Sequence, residues 1–437
     1  MKKTVFLLLM SMVMSAAVSA QEKMTLTLDE ALSIAMKNNI QVITAQNTYN
    51  TAVADVLPKT WGNNLPTVDL NAQYSLADEK STFITNSGVK ESAERYSYSL
   101  SANYVLFDGF KKYGEMKQAR LDESSALYTY ENTKQDVALQ VYKSYFDVLK
   151  NQQLLRVSEE NLKRSEEQLK RLEERNRLGA QILSDVYKQK VQVGSDRLAL
   201  NRSKNNLNTS KASLNSLIGI DVNTQVELKD LGLDVTFDAA EYNFDKAFST
   251  ALEQRKDYLS GVKKLESSRA SLRNARSGFF PTLSAFADYS WSDAFKPGSF
   301  KEIGANDRVS VGLNFSMPIF NGFQTSAGVI RADQSVQTAK SNLENTRRQV
   351  ALDIKIALLN LQTSYENVKL SEENVNSAKE DLRLATEKYN LGAGTILDQI
   401  TANASYAQAE ANHIQAVYDF LYAKQQFNVA IGAIETK

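Results

Sequence analysis

The sequence predicts a mainly α protein with a transmembrane β component. Three observations carry that prediction: an internal duplication, long seven-residue apolar repeats, and four stretches in which apolar and small polar residues alternate. Val105-Leu106-Phe107-Asp108-Gly109-Phe110 returns as Pro318-Ile319-Phe320-Asn321-Gly322-Phe323, and Leu178-Gly179 followed by Asp185 returns as Leu391-Gly392 followed by Asp398, each at an offset of about 213 residues. That period is too long for a solenoid unit and fits a duplicated half-protein. A length conserved between halves over such a span points to rigid elements that must reach a set distance.

At the start of the chain, Lys2-Lys3, the apolar stretch from Val5 to Val18 and the small residues Val18-Ser19-Ala20 predict a secretory signal peptide over residues 1–20. The chain has no cysteine, which excludes lipid attachment at a new N-terminal Cys, disulfides and thiolate metal sites. The duplication overrides the roughly three domains that length alone suggests. It divides the chain into a first structural repeat over 21–218 with a β-hairpin at 66–107, a linker at 219–242, and a second structural repeat over 243–437 with a β-hairpin at 281–318. Lys+Arg and Asp+Glu balance at 51 each, with 18 Gly and 5 Pro. This is the profile of long helices laced with charges of both signs, and it holds no basic excess for nucleic acid. No run of eighteen or more apolar residues follows the signal peptide, so a hydrophobic membrane helix is not expected.

The helical signal is the strongest. Val141, Val148, Leu155, Leu162 and Leu169 recur at spacings of seven, as do Ile354, Leu361, Val368, Val375, Leu382 and Tyr389. A seven-residue repeat held this long predicts coiled-coil packing. Gly114 alone interrupts Lys111 to Arg177, and Gly328 alone interrupts Thr325 to Asn390. Each stretch predicts a helix of roughly 67 residues, about 100 Å at 1.5 Å per residue. Thr27-x-x-Glu30 predicts a capping box opening a helix that runs to Leu57 before Pro58, and Asn243 predicts the cap of a helix from Phe244 to Arg276. Further helices are expected from Ile182 to Leu217 and from Ile396 to Ile431, ended by Gly219 and Gly432. Two short helices sum to one long one, so end-to-end stacking of the short pair beside the long helix is the economical arrangement.

Between helices the period changes to two. Val68, Leu70, Ala72, Tyr74 and Leu76 alternate with Asp69, Asn71, Gln73 and Ser75, and Tyr96 to Tyr104 alternate with Ser97, Ser99, Ser101 and Asn103. Leu283, Ala285, Ala287, Tyr289 and Trp291 repeat the pattern, as do Val309, Val311, Leu313, Phe315 and Met317. A one-sided soluble sheet shows the same alternation. Aromatic residues at both ends of the strands favour a membrane barrel with a wet lumen, because two aromatic belts one strand apart match the two bilayer interfaces. Polar loops are expected from Ala77 to Glu94 and from Ser292 to Asp307. Phe107-Asp108-Gly109 and Phe320-Asn321-Gly322 mark the strand-to-helix turns, with Gly109 and Gly322 supplying backbone freedom. Four strands cannot close a barrel, and open edges are not tolerated in lipid. More than one chain must therefore contribute.

These residues resemble the TolC-type outer membrane efflux proteins over essentially the whole mature chain. The likeness is carried by Leu26-Thr27-Leu28-Asp29-Glu30-Ala31-Leu32, the Phe-x-Gly-Phe turns and the paired tips Asn176-Arg177-Leu178-Gly179 and Tyr389-Asn390-Leu391-Gly392. The resemblance implies a homotrimer whose twelve strands form one shared β-barrel, continued by an α-barrel of coiled-coil helices. The linker at 219–242 would then belong to an equatorial collar. It implies an outer membrane protein of a Gram-negative bacterium with a long periplasmic portion. Such a protein acts as the exit duct of a tripartite efflux or type I secretion system and passively conducts substrates delivered by an inner-membrane pump of the RND, ABC or a similar class.

The resemblance also assigns roles. Arg177, Leu178, Gly179, Asn390, Leu391 and Gly392 would meet a periplasmic adaptor (membrane fusion) protein. Asp398 would lie nearest the constriction, with Tyr389 and Asp185 available for closed-state hydrogen bonds. Gly394 stands where the family pattern has a basic gate partner, and Thr401 where a second lumenal acid can occur. From the residues alone, Asp185 and Asp398 can equally begin the helices that follow them, where a carboxylate suits the positive dipole end. Repeated by symmetry around a mouth, they would instead form a cation-favouring ring.

Other chemistry has little footing. His413 is the one histidine, too few for a typical metal site, and no Gly-rich phosphate loop precedes a helix. The reading is no enzyme and no cofactor. A structural envelope-spanning coiled coil is the alternative function; it accounts for the heptads but not for the four alternating strands. The generic polar lining names no cargo.

Overall fold

The computed structural model describes residues 24–85, 88–229, 235–237, 242–293 and 307–434. The predicted signal peptide, parts of the predicted linker and most of the second hairpin's loop lie outside them. The order of elements is β1 (Met24–Leu26), α1 (Leu28–Asn38), α2 (Ile40–Thr60), β2 (Thr67–Thr85), β3 (Gly88–Phe107), α3 (Lys111–Arg177) and α4 (Leu183–Ile218). It continues with β4 (Val226–Leu228), α5 (Phe244–Gln254), α6 (Lys256–Ser277), β5 (Thr282–Asp293), β6 (Asp307–Ser316), α7 (Gln324–Asn390) and α8 (Ile396–Ala430). The chain forms two compact units, one from Met1–Ala45, Glu131–Arg255 and Gln349–Lys437, the other from Gln46–Tyr130 and Lys256–Arg348.

The two 67-residue helices α3 and α7 stand where the heptads place them. Val141, Val148, Ile354 and Leu361 are fully buried, and the remaining heptad residues are buried or half-buried. The capping box forms: the Thr27 N–H donates to Glu30 Oε2 at 2.8 Å and the Glu30 N–H donates to Thr27 Oγ1 at 3.3 Å. The Thr27 N–H, and after it the Thr27 hydroxyl, which donates to the same Glu30 Oε2 at 2.9 Å, hold the Glu30 carboxyl below its usual range.

The first short helix departs from expectation. It breaks into α1 and α2 at Asn39, whose ψ of 128° leaves the helical region. The Asn39 amide explains the break: its Nδ2 donates to Leu217 O at 2.8 Å and its Oδ1 accepts from the Gln41 N–H at 2.8 Å. A short amide side chain here offers the backbone an alternative to the helical ladder. The second repeat breaks likewise at Arg255, with ψ 123°, where the guanidinium pairs with Asp353 at 2.9 Å. Pro58 lies inside the final turn of α2 rather than beyond its end, where its missing N–H removes one bond of the helical ladder just before the helix stops.

Both breaks meet the end of another helix. Gly219 ends α4 so close to α1 that a Cβ there would stand 2.7 Å from Asn38 Cβ. Gly432, just past α8, comes as near to Arg255 N. The short helices therefore abut end to end, and Gly is needed at each junction for room as well as conformation. A small parallel pair, β1 with β4, lies beside them. It was not legible in three-residue segments, and the buried Tyr145 hydroxyl ties it down by donating to Leu26 O and Lys229 O at 3.1 and 2.9 Å.

The other unit holds a four-stranded antiparallel sheet in the order β2-β3-β5-β6. The register sets Leu70 against Leu100, Leu100 against Tyr289 and Tyr289 against Val309, so the alternation gathers the apolar side chains on one face. That face is open: Leu70 is 76% and Val311 77% exposed. The expected loop at Ala77–Glu94 is a correction. Past a register shift between Leu76 and Ser81, β2 and β3 keep pairing as far as Thr85 and Gly88. Polar composition is compatible with a ladder outside lipid, and composition alone did not distinguish the two.

Candidate functional site at the helical tips and strand-to-helix turns

Each long helix ends in a turn of the same geometry. Gly179 has φ 75° and Gly392 φ 76°. The Ala180 N–H donates to Arg175 O and the Gly179 N–H to Asn176 O, both at 2.9 Å. In the second tip the Ala393 N–H donates to Lys388 O at 2.9 Å and the Gly392 N–H to Tyr389 O at 3.1 Å. These are Schellman closures, which need a left-handed residue after the helix. Leu178 and Leu391, just before the glycines, are 72% and 84% exposed. Arg177 pairs with Glu174 at 3.0 Å.

Beyond the glycines the repeats diverge. In the first tip Asn176 Nδ2 donates to Gln181 O at 2.6 Å, Gln181 Nε2 donates to Asp185 Oδ2, and Lys188 Nζ lies 3.3 Å from Asp185 Oδ1. Asp185 is only 8% exposed. In the second tip Gly394 replaces Gln181, and Asp398 is exposed. Asp398 belongs to a capping box with Thr395, whose N–H and Oγ1 donate to Oδ2 at 2.9 and 2.8 Å. The Thr395 backbone and hydroxyl donors hold the Asp398 carboxyl below its ordinary range, so it is ionised at neutral pH.

Tyr389 and Asp185 are brought together; Asp398 is not with them. Tyr389 packs with Leu172, Val186 and Ile396 in an apolar cluster and is 8% exposed, with no hydrogen-bond partner for its hydroxyl. Burial, and then the charge of Asp185, pushes the phenol above its usual range. Tyr389 therefore stays neutral and can donate.

A polar seam on the tip side of the same unit was not among the residues singled out from the sequence. Asp196, 5% exposed, receives Asn161 Nδ2 at 3.0 Å, Gln192 Nε2 at 2.9 Å and the Ser165 hydroxyl. Asn403 on α8 joins it through Asn161 at 2.8 Å and accepts from Arg164 Nε at 3.2 Å. Beside them, Arg164, Gln168, Gln189, Thr386 and Gln399 line a cavity of about 140 Å³. The duplication could have flagged the seam, because Ala378 and Ala409 stand where Ser165 and Asp196 would recur.

The strand-to-helix turns have a feature that glycine alone does not describe. Gly109 and Gly322 are left-handed, and so are the residues after them, Phe110 at φ 66° and Phe323 at φ 62°. Such a conformation costs a bulky residue about 1–2 kcal/mol. In both repeats the Phe ring meets an earlier one edge to face, Phe107 with Phe110 and Phe320 with Phe323, each at 5.4 Å. Recurrence of Phe in both halves was the available signal.

The sequence model of the family described as "Outer membrane efflux protein" matches residues 62–220 and 247–433, which include both hairpins, both long helices and both tips. The chain belongs to the outer membrane efflux protein family. It is 24% identical to the outer membrane protein TolC of Vibrio cholerae serotype O1 over 378 residues, covering 85% of this chain and 82% of that protein. With Escherichia coli (strain K12) TolC the identity is 23% over 381 residues, covering 85% and 75%. Its fold matches the Campylobacter jejuni CmeC outer membrane channel with a TM-score of 0.76 at 20% identity, covering 93% of this chain and 85% of that one.

As an efflux protein of this family the chain is an exit duct and not an enzyme. It resides in the outer membrane with a long periplasmic helical portion. Channels of this family work in tripartite efflux or secretion systems, with an adaptor and an inner-membrane pump.

Proposed function

We propose that three copies of this chain close one twelve-stranded barrel and conduct solutes through it, and that the tips carry both the adaptor contact and the gate. The observation that carries the reading is the sheet. Its apolar face is exposed, and its edge strands β2 and β6 each have one side without a partner among the described residues. Open edges in lipid would leave a row of backbone donors and acceptors unsatisfied, at several kcal/mol each. Head-to-tail pairing of β6 with β2 of the next copy removes every edge and returns the polar face to a lumen.

Adaptor docking at Arg177, Leu178, Gly179, Asn390, Leu391 and Gly392 is supported by the exposed leucine on each turn, joined on the first by the exposed Ile182. For the gate, the ionised and exposed Asp398 supports a cation-favouring ring. The unpartnered hydroxyl of Tyr389 beside Asp185 supports a hydrogen bond made in another state of the tip.

Planar-bilayer recording of the detergent-extracted protein tests the reading. Native protein should form stepwise ion-conducting pores, and Asp398→Ala should lose part of the cation preference. An envelope-spanning linker without transport activity would give no pores. Unchanged selectivity in the variant would remove Asp398 from the gate while leaving the duct intact.

A further inference from the structure

The sheet's polar face carries one aromatic residue that contradicts its pattern. In the paired rows, Asp69, Asn71, Ser99, Ser101, Asn314 and their neighbours share a face with Phe286. Phe286 lies between Asn103 on β3 and Gly312 on β6. Its ring edge occupies the space where a side chain at 312 would start: a Cβ on Gly312 would stand 2.7 Å from Phe286 Cζ. No other aromatic side chain falls on that face within the rows Thr67–Leu76, Glu94–Val105, Thr282–Trp291 and Asp307–Ser316.

An aromatic ring laid over a strand glycine can be purely structural, since it restores packing that glycine lacks. The first hairpin argues that the fold does not need it. Ser99, 213 residues before Gly312, faces Asn71 across β2 and β3. Asn/Ser thus serves at the position where the second hairpin has Phe/Gly, and the substitution is paired: bulk gained on β5 is matched by bulk removed on β6. The ring reaches from β5 across to β6 and remains half-exposed. Asp288 follows two residues along the same face, about 7 Å on. Asp69, Ser101 and Ser310 share its row.

We propose that Phe286 is a specificity-determining residue of the duct. Its ring is an apolar foothold in an otherwise polar lumen for organic cations with an aromatic or lipophilic body, and their charge is met by the ring's π face and Asp288. Lipophilic cations gain on both counts, whereas small hydrated cations gain only from the carboxylate. The proposal rests on the polar face lining the conducting pathway.

The test is block of single-channel current by tetraphenylphosphonium, with strongly hydrated Mg2+ as the compact control, on the full-length protein in planar bilayers. Phe286→Leu should weaken tetraphenylphosphonium block by roughly fivefold and leave block by Mg2+ unchanged; Phe286→Tyr should behave like the native protein. The double variant Phe286→Asn with Gly312→Ser copies the first hairpin's own pair, so it preserves a combination this sheet already accommodates. It should show the same loss of block at retained conductance. Equal block by tetraphenylphosphonium in native protein and either ring-less variant overturns the proposal, as does a change confined to heat stability. Native protein that forms no pores overturns the duct reading itself, a result distinct from pores indifferent to Phe286.

Discussion

Tyr389 shows how one side chain can be costly in one state and useful in another. Its hydroxyl is buried without a partner, and an unmet buried polar group costs about 1–3 kcal/mol. Tyr389→Phe should therefore leave thermal stability unchanged or raise it by about 1 kcal/mol, read by melting the detergent-solubilised protein. A loss of stability would mean that the hydroxyl is bonded in the dominant state. Asp398 predicts a pH dependence of opposite origin. Its folded pKa is depressed by Thr395, so the stability it adds is present above the unfolded carboxylate value near 4 and disappears as pH falls through the lower folded value. Hydrogen-exchange protection at the start of α8, taken relative to intrinsic exchange at each pH, should fall below about pH 4, and Asp398→Ala should abolish that acid step. Asp185 and Asp398 were equivalent in the sequence, one offset apart. Their surroundings were not legible, because Gln181 against Gly394 and the fold of Tyr389 onto Val186 decide which carboxylate is buried.

At the scale of elements, the heptads and the two-residue alternation were legible because each is a periodic signal summed over many residues. The α1/α2 and α5/α6 breaks were not, because each depends on a single residue, Asn39 or Arg255, finding a partner far along the chain. The junction glycines follow the same logic and give a graded prediction. Gly392→Ala meets nothing within 4 Å and pays only for φ 76°, about 1 kcal/mol. Gly219→Ala meets the same strain plus Asn38 Cβ at 2.7 Å and Asn38 O at 2.8 Å, which raises the expected loss to roughly 3 kcal/mol. Equal melting shifts in the two variants would contradict end-to-end abutment of α1 and α4. In the polar seam, Asp196→Ala would strand the donors of Asn161, Gln192 and Ser165 and should destabilise by about 3 kcal/mol. Ala409, at the same place in the second repeat, shows that helix pairing here does not require the carboxylate.

For the molecule as a whole, the duplication extends to the way the structure is left incomplete. The sheet ends in two free edges, β2 from the first repeat and β6 from the second. In the other unit, α3 pairs with α4 through Ser165 and Asp196 and with α8 through Asn161 and Asn403, while α8 meets α7 through Gln399 and Thr386. Along the polar seam α3 therefore lies between α4 and α8, while at the tip Tyr389 of α7 packs against Val186 of α4; both α4 and α7 still expose apolar residues, Tyr187, Val191 and Leu198 on the one and Leu352, Ile356 and Leu370 on the other. In the sheet the two edge strands belong to different repeats, so in the proposed ring a neighbour joins head to tail rather than face to face. Head-to-tail contacts either close into a ring or grow without limit, and strands in lipid require closure. The detergent-extracted protein should run as one discrete oligomer in analytical ultracentrifugation, three chains for a twelve-stranded barrel. Val191→Asp should shift it toward monomer, because burying an unpaired charge at a packed helix edge costs several kcal/mol. An oligomer indifferent to Val191→Asp would place the neighbouring chain on another face of α4.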